Sequence, residues 1–462
     1  MLRQIVDTLV FNGDVFTGDK AQSHHQPGAI AIKDGVIVAL GPEPEVMSMY
    51  DARRRIDARG GLVHPGFIDT HLHITAMPYH GTPFSKSLDG AGKRRPDYSR
   101  MKAATTAEAT SAYAAAAACS LLQRGYTLFF EAGTVFETDA FADSITKCGI
   151  RAMVSAPFGW DDLSGFEKSY PHLVNEMLVR RAPVDARRVI EQCKYEIERN
   201  KNPEALVQGY VCLYGEGSAT DDLTQEAAKL ARDSNVIFYQ HQSFHPDGVR
   251  AEKKNYGDAG AVRLERLGVL GTSTTLAHMN VLDEAEIELI LSRKPGIVWC
   301  PNAALAFRVI SQSKCWLPFL HRNGACISLG VDTIATDPIG ISGVLSLYLS
   351  ASLGDNLEDS DPFYMQTINA ARNLGISDKV GSLTVGKRAD VVIRELRDIT
   401  HTSWLDDDGI LLALSSSMIP VDTVLIDGKS VMEKGQLISV DQNDIVAEAR
   451  RQREILLKRV YG

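Results

Sequence analysis

The spacing of apolar and polar positions changes twice along this chain. Over the first sixty residues, short apolar runs at 7–11, 29–33 and 36–40 alternate with the turn pairs Asn12-Gly13 and Asp34-Gly35. Such pairs between alternating runs favour the primed turns of β-hairpins, so this region reads as a small antiparallel sheet. The same style returns near the other end. Runs at 390–394 and 423–426 flank Asp427-Gly428, and Val431 and Leu437 continue the pattern. The two ends are expected to form one β-domain together.

Between them, apolar strands are separated by helical intervals. Strands are predicted at 66–69, 127–131, 152–156, 207–214, 236–240, 274–277, 297–300 and 327–331. Helices are predicted at 107–123, 185–198, 224–232 and 283–292, with Asp283 placed to cap the last. Eight strands alternating with helices predict an α/β fold, a (β/α)8 TIM barrel whose active site lies at the C-terminal ends of the strands. Residues 79–98, rich in Gly, Pro, Lys and Arg, are too irregular for a helix and read as a loop over the barrel mouth.

Composition narrows the partners. A chain of 462 residues with 44% hydrophobic and 23% charged content can bury a large core, and disorder is not indicated. A net charge of -9 argues against nucleic acid or an anionic membrane as a partner and leaves a small-molecule substrate. No apolar run reaches the length of a spanning helix, and the first residues lack a signal-peptide pattern, so a cytoplasmic protein is expected. The seven scattered cysteines contain no C-x-x-C pair and read as buried small hydrophobes.

The chemistry concentrates at strand ends. The run from Val63 to His73 finishes in His71-Leu72-His73, and residues two apart on a strand share a face, so His71 and His73 converge as a metal-ligand pair. Strand five runs into His241, strand six into His278 and strand eight into Asp332. Five candidate ligands thus meet at one rim. Imidazoles with a carboxylate suit zinc, with iron or cobalt as alternatives, and an open position would hold a water.

The segment from His64 to His73, together with His241, His278, Asp332, the tail Met365 to Ala371 and the run Gly381 to Asp390, resembles the amidohydrolase superfamily. The likeness is to the branch of cytosine deaminase, adenosine-type deaminases and triazine hydrolases, near the phenylurea and thiocarbamate hydrolases. It implies a β-sandwich built from residues 1–62 and 386–462, and a catalytic barrel over 63–385. It also implies that His71, His73, His241 and Asp332 hold one divalent metal ion and that Asp332 shuttles a proton. His278 would meet the substrate carbonyl or tetrahedral intermediate, and homo-oligomers are common in the family.

Two departures shape the functional expectation. Many deaminases of this branch carry Glu three residues after the strand-five His; here that position is Phe244, which does no acid–base chemistry, and His245 follows as a substitute proton carrier or a plain loop residue. Binuclear relatives use a Lys at the end of strand four, and residues 207–218 contain none, which points to one metal. Glu131 and Glu216 remain as bridging or rim carboxylates, Asn302 as a substrate-orienting or turn residue, and His64 as structural. The expected activity is metal-assisted hydrolysis of a non-peptide C–N bond in a small, rather apolar amide, urea, carbamate or thiocarbamate. The alternative is deamination or dechlorination of a pyrimidine, purine or triazine. A non-catalytic scaffold is disfavoured because all five rim residues are present.

Overall fold

The computed structural model describes residues 3–19, 21–79, 98–170, 173–333, 339–396, 406–416 and 419–461. Most of the predicted mouth loop, residues 80–97, lies outside the described residues. In chain order the strands begin with β1 (Gln4–Phe16), β2 (His24–Lys33), β3 (Val36–Pro42), β4 (Tyr50–Asp57), β5 (Leu62–Pro65) and β6 (Phe67–His73). They continue with β7 (Tyr126–Glu131), β8 (Arg151–Val154), β9 (Val207–Gly209), β10 (Val211–Gly215), β11 (Phe238–Gln242) and β12 (Thr274–His278). The rest are β13 (Gly296–Trp299), β14 (Ile327–Leu329), β15 (Asp332–Thr333), β16 (Val391–Arg394), β17 (Val421–Ile426), β18 (Lys429–Glu433) and β19 (Gln436–Leu437).

The chain's two ends share one sheet, of order β19-β18-β17-β16-β5-β1-β2-β3, with β4 also paired to β1. The seam is antiparallel β16 on β5, where Val392 faces His64. Asp34-Gly35 and Asp427-Gly428 turn the hairpins as expected, all four with positive φ. Asn12-Gly13 does not turn. Strand β1 runs straight through it as a bulge, with a register shift against β2 and Asn12 at φ 55°. A Cβ on Gly13 would sit 2.7 Å from Val63 Cγ2, so the glycine serves the close approach of β5 to β1. The C-terminal part is not all β. Residues Gln442–Tyr461 form a 20-residue helix whose Leu456 is buried with Met101, Ala109 and Tyr113. Ile445, Ala449, Gln452, Leu456 and Val460 recur at helical spacing there, which overrides the expectation of a β-domain reaching residue 462.

The apolar run from Val63 to His73 is two strands. At Gly66 the chain leaves the shared sheet, and an added Cβ would lie 1.9 Å from Thr127 Oγ1. His64 therefore belongs to the shared sheet, where its Nε2 accepts from Arg394 at 2.9 Å. This fixes it as a structural residue.

The central strands form two parallel five-stranded arcs, β15-β6-β7-β8-β9 and β10-β11-β12-β13-β14, alternating with helices. The sequence predicted one ladder of eight. Strand 207–214 instead divides at Tyr210: Tyr210 N–H donates to Val154 O, and the next residue, Val211, donates to Ile237 O. Successive N–H groups point to opposite sides, as in any strand with a neighbour on each, and one arc ends and the other begins at this pair. The eighth strand likewise stops at Leu329, and its continuation β15 pairs with β6. The helices follow their caps. Thr106 and Asp185 start Ala107–Leu122 and Ala186–Ile197, and Asp283 with Glu286 forms a full capping box before Glu284–Arg293. In Ala107–Leu122 the small Ala114, Ala117 and Ala118 pack directly against the core that contains Phe129.

Candidate metal centre

His71 and His73 lie two apart on β6, and their rings meet edge-on with centroids 4.9 Å apart. His241 on β11 and His278 at the end of β12 bring their rings to 4.8 and 5.0 Å from His71. Asp332 opens β15, in register beside Leu72 of β6. Two of these side chains are aimed by unusual backbone: His278 and Asp332 hold φ of 78° and 67°. Left-handed non-glycine residues cost of order 1–3 kcal/mol each and concentrate at functional sites. All five residues predicted for the rim are thus brought together, and all are buried.

The donor atoms form overlapping sets. Each atom of His71–His73–Asp332, and each of His71–His241–His278, lies within 4.8 Å of the others in its set. His73 Nε2 and His241 Nε2 are 3.3 Å apart, close to the edge of a tetrahedron of donors about 2.0–2.1 Å from a zinc-sized ion. Asp332 Oδ1 lies 3.7 Å from His71 Nε2 and 3.6 Å from His73 Nε2. His71 Nε2 is buried with no protein partner. An orphaned imidazole nitrogen facing two others and a carboxylate is costly without a cation, so the residues fit one divalent ion.

The outer nitrogens explain why the inner ones face the centre. Tyr239 O–H donates to Thr70 O at 3.1 Å, leaving its oxygen to accept His71 Nδ1–H at 2.6 Å. Thr134 O–H donates to Glu131 Oε1 at 2.7 Å and accepts His73 Nδ1–H at 3.1 Å. His241 Nδ1–H donates to Tyr214 O at 2.8 Å. Three anchored Nδ1–H groups leave three Nε2 lone pairs for a metal. Burial, reinforced by neighbouring charges, holds His71, His73 and His278 well below the ordinary imidazole value, and burial takes His241 down to about 4. The rings are therefore neutral and able to ligate. Burial lifts Asp332 to about 7, opposed by the Lys102 charge.

Several residues stand differently from the reading of the sequence. Glu131 lies outside the three donor sets: it takes Thr134 N–H and O–H, and Thr134 in turn holds His73. Glu216 accepts Phe244 N–H and Tyr170 O–H, and burial raises it to about 8. His245 is not drawn into the cluster; it caps the helix Pro246–Tyr256 and its Nδ1 accepts Asp247 N–H. Asn302 sits half-buried in the first turn of Pro301–Ala306 without a side-chain bond among the described residues. Phe244 does reach the centre, its ring 4.6 Å from that of His278 and 5.3 Å from Phe307.

Two residues were missed. Lys102, on the helix Tyr98–Ala104, is buried within the fields of Asp332 and Glu131, its ammonium pushed below the ordinary range by burial. Its place in an otherwise apolar stretch with Met101, Ala103 and Ala104 was the only signal. Cys300, read as a small hydrophobe, lies beside His278 and Asp332. A cavity of about 500 Å³ at the other end of the strands is lined by Arg151 and Arg388, already paired with Asp390, Asp427 and Glu204, and holds none of the donor sets found among the described residues.

The profile of the amidohydrolase family matches residues 62–431. The chain belongs to the amidohydrolase family. As an amidohydrolase it is a metal-dependent enzyme acting on carbon–nitrogen bonds other than peptide bonds. It is 26% identical over 442 residues to 5'-deoxyadenosine deaminase of Methanobrevibacter smithii, covering 92% of each chain. It is 25% identical to 5-methylthioadenosine/S-adenosylhomocysteine deaminase of Pelotomaculum thermopropionicum, over 98% of this chain and 100% of that one. Among solved structures this amidohydrolase matches a zinc-bound adenosine deaminase of Xanthomonas campestris at TM-score 0.78 and 20% identity, over 99% of this chain and 100% of that one. It matches a zinc complex of atrazine chlorohydrolase from Arthrobacter aurescens TC1 at TM-score 0.82 and 20% identity, over 96% and 100%. No helix of the described residues is long and apolar enough to cross a membrane.

Proposed function

We propose that this amidohydrolase hydrolyses a C–N bond in a small, rather apolar amide, urea, carbamate or thiocarbamate. The observation that carries the reading is Phe244, whose ring lies against His278 where a proton-donating carboxylate would stand in a heterocycle deaminase. Neither nearby carboxylate replaces it, since Glu131 serves Thr134 and Glu216 serves Phe244 N–H and Tyr170. In this reading His71, His73, His241 and Asp332 hold one zinc or similar ion, which would lower the pKa of a bound water towards neutrality. Asp332 takes the proton of the attacking water and returns it to the leaving nitrogen. His278 donates to the carbonyl oxygen as negative charge develops there. Phe244 and Phe307 form an apolar wall for the substituent.

The second reading, deamination or dechlorination of an N-heterocycle, is the one the names of the relatives favour. Metal-defined enzyme offered both panels, with amines, ammonia and chloride measured as products, separates the two. Efficient turnover of aryl ureas or thiocarbamates with none of adenosines or triazines is the expected result. Ammonia from a 5'-deoxyadenosine or chloride from a triazine at comparable kcat/KM would overturn the first reading in favour of the second. The same proposal takes the two arcs as halves of one closed (β/α)8 barrel beginning at Gly66, the shared sheet as a second domain, and the enzyme as a homo-oligomer, which sedimentation velocity would test.

A further inference from the structure

Cys300 follows β13, is buried, and makes no capping bond to the helix it precedes. Its Sγ, a nitrogen of His278 and a carboxylate oxygen of Asp332 form a third set whose atoms all lie within 4.8 Å of one another. This set shares His278 and Asp332 with the centre described above, but it brings in a sulfur and leaves out His71, His73 and His241. A second observation points to a ligand there. His278 is 3% exposed, and its Nδ1 is buried with no hydrogen-bond partner.

We propose that His278, Cys300 and Asp332 form a second, inhibitory cation site that selects thiophilic ions such as cadmium. The selection follows from softness, because a thiolate favours cadmium or zinc over magnesium, calcium or manganese. The inhibition rests on the proposed function, in which Asp332 and His278 serve the reaction; an ion bridging them withdraws both from the substrate. Binding breaks the S–H bond and forms an S–metal bond, and the proton leaves to solvent.

The test uses full-length enzyme carrying one equivalent of cobalt or zinc, titrated with cadmium. Bound metal, the ultraviolet thiolate-to-cadmium absorption and the rate are followed together. The expected result is one further ion per chain, a growing thiolate band, about one proton released per ion, and loss of activity with the first ion retained. Cys300→Ser should keep the first ion, lose the band, and need roughly tenfold or more cadmium for half-inhibition. A band that persists in Cys300→Ser, or cadmium that displaces the first ion without any band, overturns the proposal. If Cys300→Ser does not fold, wild-type crystals soaked in cadmium decide: an anomalous peak between the three residues is expected, and a peak only beside His71 and His73 overturns it. Stoichiometry and absorption need no substrate, so failure of the proposed function would be seen separately as an inert enzyme with a normal band.

Discussion

Tyr239→Phe removes one oxygen and little else. The ring is fully buried against Phe130, with centroids 4.3 Å apart, and the phenylalanine keeps that packing. What disappears is the acceptor of His71 Nδ1–H at 2.6 Å and the donor to Thr70 O at 3.1 Å. Both partners are buried, and each left unsatisfied costs about 1–3 kcal/mol, so the metal-free protein should lose about 2–6 kcal/mol of stability. The larger signal is in metal affinity. Without its anchor the His71 ring is free to turn or to change tautomer, and loss of such a partner lowers affinity by about 10–100-fold, or about 1.4–2.7 kcal/mol. The assay is competition for zinc against a chromogenic chelator at fixed pH, beside thermal melting of the metal-free form. Tyr126→Phe is the control, since it loses a buried bond to Gln366 at 2.8 Å that touches no ligand. It should lower stability and leave zinc affinity alone. Equal zinc affinity in wild type and Tyr239→Phe would refute the assignment of His71 Nε2 to the metal.

Other outcomes are expected as well. Asp332→Asn should lower kcat by about 10²–10⁴ even where metal is retained, measured as single turnovers on metal-defined protein, and near-normal turnover would remove Asp332 from proton transfer. Glu216 stands at about 8 in the fold against an ordinary 4.5, so the native state holds the extra proton between these values. Its contribution is fully present below about 4.5 and is lost as pH rises through 8, at about 1.4 kcal/mol per pH unit. Glu216→Gln should therefore gain stability relative to wild type as pH rises from 5 to 8, and a constant difference in urea melts across that range would refute the buried carboxyl. Gly66→Ala places a Cβ 1.9 Å from Thr127 Oγ1 and should cost about 1–3 kcal/mol in the same melts. Unchanged stability would show that β5 and β6 tolerate separation at the crossover. Phe244→Glu should weaken turnover of apolar ureas by placing a charge beside them, and improved urea turnover would refute the apolar wall.

Local pattern reached the rim residues and most elements. The His-x-His pair, the residue that ends each strand and the cap Asp283 are short-range signals, and each was legible because it depends on neighbours within a few positions. Asn12-Gly13 shows the limit of that logic. Its turn propensity was real, but the approach of Val63 from a different strand made it a bulge. Lys102 and Cys300 show the limit for chemistry. A lysine in a helix reads as surface charge and a lone cysteine as packing, and only the placement of Tyr98–Ala104 and of the β13 end brings either beside Asp332.

By itself, the sequence determined that apolar strands alternate with helices and that His71, His73, His241, His278 and Asp332 fall at strand ends on one rim. Period-2 and helical spacing, with caps and turn pairs, encode such features locally. Only the tertiary structure decided the two arcs, the split at Gly66, the neutral state of the histidines and the company of Lys102 and Cys300. Those depend on burial and on donors from distant strands, and neither desolvation nor a 3.3 Å contact between His73 and His241 is written in the spacing of residues along a chain.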